Sequence, residues 1–241
     1  AVHEINSWQE LRRRLAPNDR KCYAFFHPAM EDEPLIFIEV ALMNCIPEKI
    51  SEVLKDKRDI VDVKNASVAV FYSISNCQKG LAGISFGNFL IKQVANDLKL
   101  DFPSLKSFVT LSPVPGFVDW LKKYDEKFYK IISKNISIKS TQNNQKRINE
   151  NILKYFFKSN REDGLPNDPV SRFHVGNGAI LEKINFLANV SEKGLNESLG
   201  LMVNYLYDIN NVEKYHEKFV LDKQINASKN LLKQFSKLKN I

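Results

Sequence analysis

The chain has 241 residues, 44% hydrophobic and 26% charged, with 35 basic against 28 acidic side chains for a formal charge of +7. That composition is that of a soluble globular protein with enough length for one large domain. No apolar run reaches 18 residues and the first residues do not pattern as a secretory leader, so neither a membrane span nor export is expected. Cys22, Cys45 and Cys77 are far apart, odd in number and without CxxC spacing, which argues against a disulfide framework or a structural zinc and for a reducing cytoplasm. The lysines are scattered, and the Lys-, Asn- and Ile-rich usage reads as coding bias, so the charge by itself points to no nucleic-acid partner.

In chain order, Ser7-Trp8-Gln9-Glu10 has capping-box spacing, and Trp8, Leu11 and Leu15 then share a face before Pro17 ends a short amphipathic helix. Residues 21–27 and 35–42 are rich in aromatic and branched side chains and flank a turn containing proline and acids, predicting an antiparallel hairpin. Pro47 opens a stretch with Ile50, Val53 and Leu54 at helical spacing, and 67–74 (SVAVFYSI) reads as a buried strand.

Residues 76–88 (NCQKGLAGISFGN) carry glycines at 80, 83 and 87 and run directly into an apolar helical pattern ending near Leu98. Strand, glycine-rich loop and helix form a device that lets backbone N–H groups approach a phosphate at a helix N-terminus. The spacing matches neither a Walker A loop nor GxGxxG, so an ordinary turn fits these glycines equally well.

A further strand over 106–111 ends at Ser112-Pro113-Val114-Pro115-Gly116, where the flanking prolines hold the serine hydroxyl in a stiff extended place. A serine that merely starts a turn is the alternative. Residues 117–124 pattern as helix, and 125–165 as a peripheral helical and loop insertion with a helical patch near 148–157. Residues 163–169 form a loop, and His174 follows in SRFHVGNG, a setting that suits either a ligand-facing imidazole or a structural one. The last strands are expected at 184–190 and 201–207, before one C-terminal amphipathic helix carrying Phe219, Ile225, Leu232, Phe235 and Leu238. No HxH, HExxH or clustered carboxylates suggest a metal.

Three segments in order, FYSISNCQKGLAGISFGNFLIKQV (71–94), TLSPVPGF (110–117) and FHVGNGAILEKINFLANVS (173–191), resemble the malonyl-CoA decarboxylase family. The similarity extends to AVHEINSW at the start, FFHPAMEDEPLIFIEVAL (25–42) and GLMVNYLY (200–207), leaving out 125–165 and the last helix. The resemblance implies a GNAT-like acyl-CoA-binding α/β (α+β) fold over 1–241, a mixed and mostly antiparallel sheet flanked by helices. It implies decarboxylation of malonyl-CoA to acetyl-CoA and CO2 through a thioester enolate, with Ser112 and His174 as the catalytic pair. Ala82, Gly83, Ile84, Ser85, Phe86, Gly87 and Asn88 become the coenzyme A phosphate loop, and Tyr207 a lining residue of the same pocket.

His174 is then expected to titrate near neutrality as proton donor, with Ser112 orienting the carboxylate or relaying the proton. No cofactor beyond the substrate's own coenzyme A is implied, and no metal, nucleic acid or membrane. Ser85 and Leu206 stand where animal members carry glutamate and arginine, while bacterial members read ISFGNFLIK as here, so a bacterial cytoplasm is expected. Members also have a helical N-terminal domain that mediates homo-oligomer assembly and is not among these 241 residues. A GNAT-type CoA-dependent acyltransferase is the alternative function.

Overall fold

A computed structural model of the chain describes residues 5, 7–55, 57–78, 80 and 87–238. Its contacts divide into two compact units, 1–47 with 51–111 and 48–50 with 112–241.

The first unit opens with α1 (Trp8–Leu15), whose N-cap Ser7 accepts a hydrogen bond from the Glu10 N–H at 3.2 Å. The expected apolar stripe faces water, with Trp8 81% exposed, and the buried residue is Arg14. Its guanidinium donates to Glu10 and approaches the fully buried Glu39 at 3.9 Å, which brings the charged face inward. β1 (Arg20–His27) and β2 (Met30–Met43) form the predicted antiparallel hairpin, Arg20 opposite Ala41. β2 starts earlier than expected and passes through Pro34, where the pairing shifts register; proline lacks a ladder donor and is tolerated at such irregularities.

β3 (Val68–Asn76) pairs antiparallel with β2 and parallel with β4 (Ser107–Thr110). Parallel neighbours need a crossover, and it contains α3 (Gly87–Asp101). Ile91, Val94, Ala95 and Leu98, at helical spacing, form the buried face of α3, and residues 68–73 of β3 are buried throughout, as SVAVFYSI foretells. The short α2 (Ile50–Leu54) follows Pro47 at the boundary between units.

In the second unit β7 (Met202–Tyr207) is the middle strand, antiparallel to both β5 (Ser112–Pro113) and β6 (Ile180–Asn185). α4 (Phe117–Tyr124) matches the predicted helix. The stretch expected as a peripheral insertion forms α5 (Glu126–Ile132), α6 (Ile138–Asn143) and α7 (Gln145–Lys158). It is not peripheral: Ile148, Ile152, Leu153, Tyr155 and Phe156 of α7 are all buried, and Tyr155 packs with Phe117 and Trp120 of α4. The polar composition had hidden one apolar face of 3.6-residue period.

α8 (Pro169–Gly176) precedes β6, and α9 (Glu192–Ser198) precedes β7. β6 lies four residues before the strand expected at 184–190, because the chain turns after Asn185 with Leu187 at φ 49°. The C-terminal helix is two, α10 (Val212–Asp222) and α11 (Lys229–Leu238), interrupted at Lys223 in the left-handed region at φ 54°. Ile225 falls in the link. No described helix is long and apolar enough to cross a membrane.

Candidate active site

Ser112 and His174, 62 residues apart in sequence, meet in the second unit, with Ser112 Oγ 3.1 Å from Nε2 of His174. Ser112 is fixed on β5 opposite Val203 of β7. His174 comes from the last turn of α8, a helix that Asp168-Pro169 starts. The Asp168 carboxylate accepts from the Ser171 N–H at 2.7 Å, and proline at the first helical position loses no intrahelical bond.

The second ring nitrogen of His174 is also engaged, Nδ1 lying 2.8 Å from the hydroxyl of Tyr207. Tyr205, two residues earlier on β7, stacks on the imidazole at a centroid distance of 4.6 Å and 27°. The period-2 alternation of a strand puts these two tyrosines on one side of β7. The resemblance had paired Ser112 with His174 and put Tyr207 in the same pocket; the fold joins the three in one hydrogen-bonded line.

Burial sets the charge state. His174 is 5% exposed, and with its desolvation the imidazolium becomes so costly that the pKa drops to about 3. The expectation that His174 titrates near neutrality is therefore corrected: at pH 7 it is a neutral imidazole. The Tyr207 phenol is held protonated by the same burial, its pKa well above the usual value. A neutral imidazole has one donor and one acceptor nitrogen, so the line runs in one of two directions. Either Tyr207 donates to Nδ1 and Nε2–H donates to Ser112, or Ser112 donates to Nε2 and Nδ1–H donates to Tyr207.

Two supporting residues escaped sequence reasoning. The Tyr155 hydroxyl of α7 donates to Asp168 Oδ2 at 3.3 Å, tying α7 to the start of α8. Desolvation raises the Asp168 carboxyl to about 6. The dipeptide Asp168-Pro169 is a helix-start signal that the loop assignment passed over; nothing in the sequence singles out Tyr155. Past α8, Gly178 has φ 79°, and a Cβ there would stand 2.0 Å from the Val212 carbonyl oxygen. The chain must turn sharply and tightly just after His174.

Of the expected coenzyme A loop, Ala82, Gly83, Ile84, Ser85 and Phe86 lie outside the described residues, and Gly87 and Asn88 open α3. Leu206 pairs with Ile180 in the β6–β7 ladder. No group of three or more His, Cys, Asp or Glu able to hold a metal ion is found among the described residues.

The family profile described as "Malonyl-CoA decarboxylase C-terminal domain" matches residues 1–240. The mitochondrial malonyl-CoA decarboxylase of Anser anser anser is 33% identical over 266 residues, covering 96% of this chain and 53% of the relative. The crystal structure of malonyl-CoA decarboxylase from Agrobacterium vitis superposes with a TM-score of 0.89 at 48% identity, over 96% of this chain and 60% of that one. The chain thus spans about half the length of the curated relatives it matches. The fold is GNAT-like: a GNAT-like decarboxylase, GphF, solved in complex with isobutyryl-CoA, aligns over 84% of this chain and 85% of its own at a TM-score of 0.51 and 16% identity. By its sequence over almost the whole length, and with that fold, the chain belongs to the malonyl-CoA decarboxylase family and corresponds to its C-terminal domain.

Proposed function

We propose that this domain decarboxylates malonyl-CoA to acetyl-CoA and CO2, with Ser112 and His174 at the reacting carbon. The observation that carries the reading is the buried line Ser112–His174–Tyr207 in a chain of this family. Loss of CO2 leaves the bonding electron pair on the α-carbon, delocalised onto the thioester oxygen as an enolate. One proton delivered to that carbon completes acetyl-CoA, and one proton from solvent is consumed per turnover.

The neutral state of the site bears on both steps. A buried imidazolium would hold the substrate carboxylate in place as an ion pair, whereas neutral donors hold it less tightly and leave its charge readier to move toward the thioester oxygen. The enolate carbon is a strong base, so a neutral donor suffices to protonate it. In the first of the two directions, the Ser112 hydroxyl proton passes to carbon, Nε2–H of His174 passes to Ser112, and the Tyr207 hydroxyl proton passes to Nδ1, so that the ring stays neutral and the one solvent proton restores the phenol.

Coenzyme A is the substrate's own handle on this reading, with residues 82–88 as its phosphate loop. No further cofactor takes part. Homo-oligomer assembly through a helical N-terminal domain and a bacterial cytoplasmic setting belong to the same reading.

The test is incubation of the purified chain with malonyl-CoA, following acetyl-CoA by chromatography, with Ser112→Ala and His174→Ala run in parallel after confirming that both fold. Product from the parent and a loss of about 100-fold to 10,000-fold in the variants is expected, the range for a positioned general acid. Undiminished turnover in folded His174→Ala sinks the assignment of His174. Acetyl transfer from acetyl-CoA to an amine, without turnover of malonyl-CoA, favours the acyltransferase instead.

A further inference from the structure

The run between Ser112 and Gly116 is Pro113-Val114-Pro115, whose two prolines have a fixed φ. Its Ser112 end is held in the β5–β7 pairing, with Pro113 opposite Met202, and its other end is the N-cap of α4, where Gly116 has φ −91° and ψ −1°. Alanine adopts that conformation too, so the backbone alone does not call for glycine. Space does: a Cβ on Gly116 would stand 2.5 Å from the Tyr155 hydroxyl oxygen, and the next atom it would meet is Tyr155 Cζ at 3.7 Å.

The same hydroxyl donates to Asp168 Oδ2 at 3.3 Å, and Oδ1 of that carboxylate caps α8 through the Ser171 N–H. Burial first, and then the neighbouring Asp168 charge, push the Tyr155 phenol far above its ordinary pKa, so it keeps its proton and is the donor of the pair. The ring that presents the hydroxyl is itself fixed, 2% exposed, with Phe117, Trp120 and Phe156 at centroid distances of 5.7, 5.3 and 5.6 Å. One oxygen of α7 therefore abuts both the turn that follows Ser112 and the start of the helix that bears His174. Stiff prolines on one side and a capped first turn on the other leave little slack between that oxygen and the two site residues.

We propose that Tyr155 is a positioning residue, its hydroxyl a spacer between Gly116 and Asp168 that sets the approach of Ser112 Oγ to Nε2 of His174. The consequence for turnover rests on the decarboxylase reading; the consequence for the Ser112–His174 contact does not.

Tyr155→Phe removes the hydroxyl and keeps the ring, while Gly116→Ala drives a methyl group against the hydroxyl. The combination is the decisive variant, because without the hydroxyl the added methyl meets only Cζ at an ordinary contact distance. Thermal melts establish folding, and two quantities are then read. One is the nitrogen chemical shift of His174 Nε2, with Ser112→Ala as the reference for a ring without that contact; the other is steady-state turnover of malonyl-CoA. Each single variant is expected to move the shift toward the reference and to lower kcat about tenfold, a fraction of the ~100-fold that a misplacement of about 1 Å costs, with KM changed less than about twofold. Gly116→Ala added to Tyr155→Phe is expected to change neither quantity further. Parental shift and kcat in a less stable Tyr155→Phe would make the tyrosine structural only and overturn the proposal, as would additive effects of the two substitutions. Should Gly116→Ala alone fail to fold, recovery of the fold in the double variant is expected, and failure of both overturns the contact. A parent without turnover but with the expected shifts refutes the decarboxylase reading and leaves the positioning role standing.

Discussion

The hydroxyl of Tyr207 lies 2.8 Å from Nδ1 of His174, on the side of the ring opposite the nitrogen that faces Ser112. Tyr207 and Ser112 together therefore set which nitrogen of a buried neutral imidazole has the proton, and with it the direction of the whole line.

Tyr207→Phe removes that partner and leaves Nδ1 buried. The cost of an unmade buried hydrogen bond is about 1–3 kcal/mol, and turnover of malonyl-CoA is expected to fall roughly 10-fold to 100-fold by the same energy. Steady-state kinetics with nitrogen chemical shifts of the imidazole check this: kcat drops and the tautomer ratio changes. Unchanged kcat with an unchanged tautomer would remove Tyr207 from the site.

Two buried groups give opposite pH dependences to stability. The folded pKa of His174, about 3, is below its ordinary 6.5, so the stability linked to its neutral form is present above pH 6.5 and is lost as pH falls toward 3. The folded pKa of Asp168, about 6, is above its ordinary 3.8, so its contribution is full below pH 3.8 and is lost as pH rises through 6. Between pH 7 and pH 4 the parent is expected to lose about 3 kcal/mol more than His174→Gln, which cannot titrate. Urea unfolding at several pH values measures the difference; parallel curves for parent and variant refute a buried neutral His174.

Asp168 caps the helix that positions His174 and also receives the Tyr155 hydroxyl. Asp168→Ala is expected to destabilise the fold by about 1–2 kcal/mol through the lost cap and to lower kcat by loosening α8. Asp168→Asn keeps the capping oxygen and should restore most of both. Equal damage from the two substitutions would mean that the charge, rather than the cap, is what matters.

Gly178→Ala confronts both a positive φ and the Val212 carbonyl. The backbone strain alone is about 1–3 kcal/mol, so a lower melting temperature is expected together with reduced turnover, because the turn sits four residues after His174. A variant as stable as the parent would show that this turn relaxes freely.

Much of the first unit was legible because its signals are local. Alternating and continuous apolar runs mark β1 to β3, and the spacing after Gly87 marks α3. Ser112 stood out between strand and proline, and His174 in its SRFHVGNG setting, but their pairing did not. A pairing across 62 residues leaves no local trace, and only the family resemblance named His174 with it. The helices of 125–160 were underestimated for a related reason: the Asn- and Lys-rich surface dominates composition, while the buried Tyr155 and Ile152 matter through what they touch.

What the sequence determined by itself was most elements of the first unit, the stiff place of Ser112 and, through its motifs, the family. These depend on neighbours within a few residues, where propensity, capping and periodicity act. The tertiary structure alone decided that both ring nitrogens of His174 are occupied, that Tyr205 covers its face, and that the imidazole is uncharged at neutral pH. Charge state follows from burial, and burial belongs to no single stretch of chain; it arises when β5, β7 and α8 close around one ring and exclude the water that would have stabilised its cation.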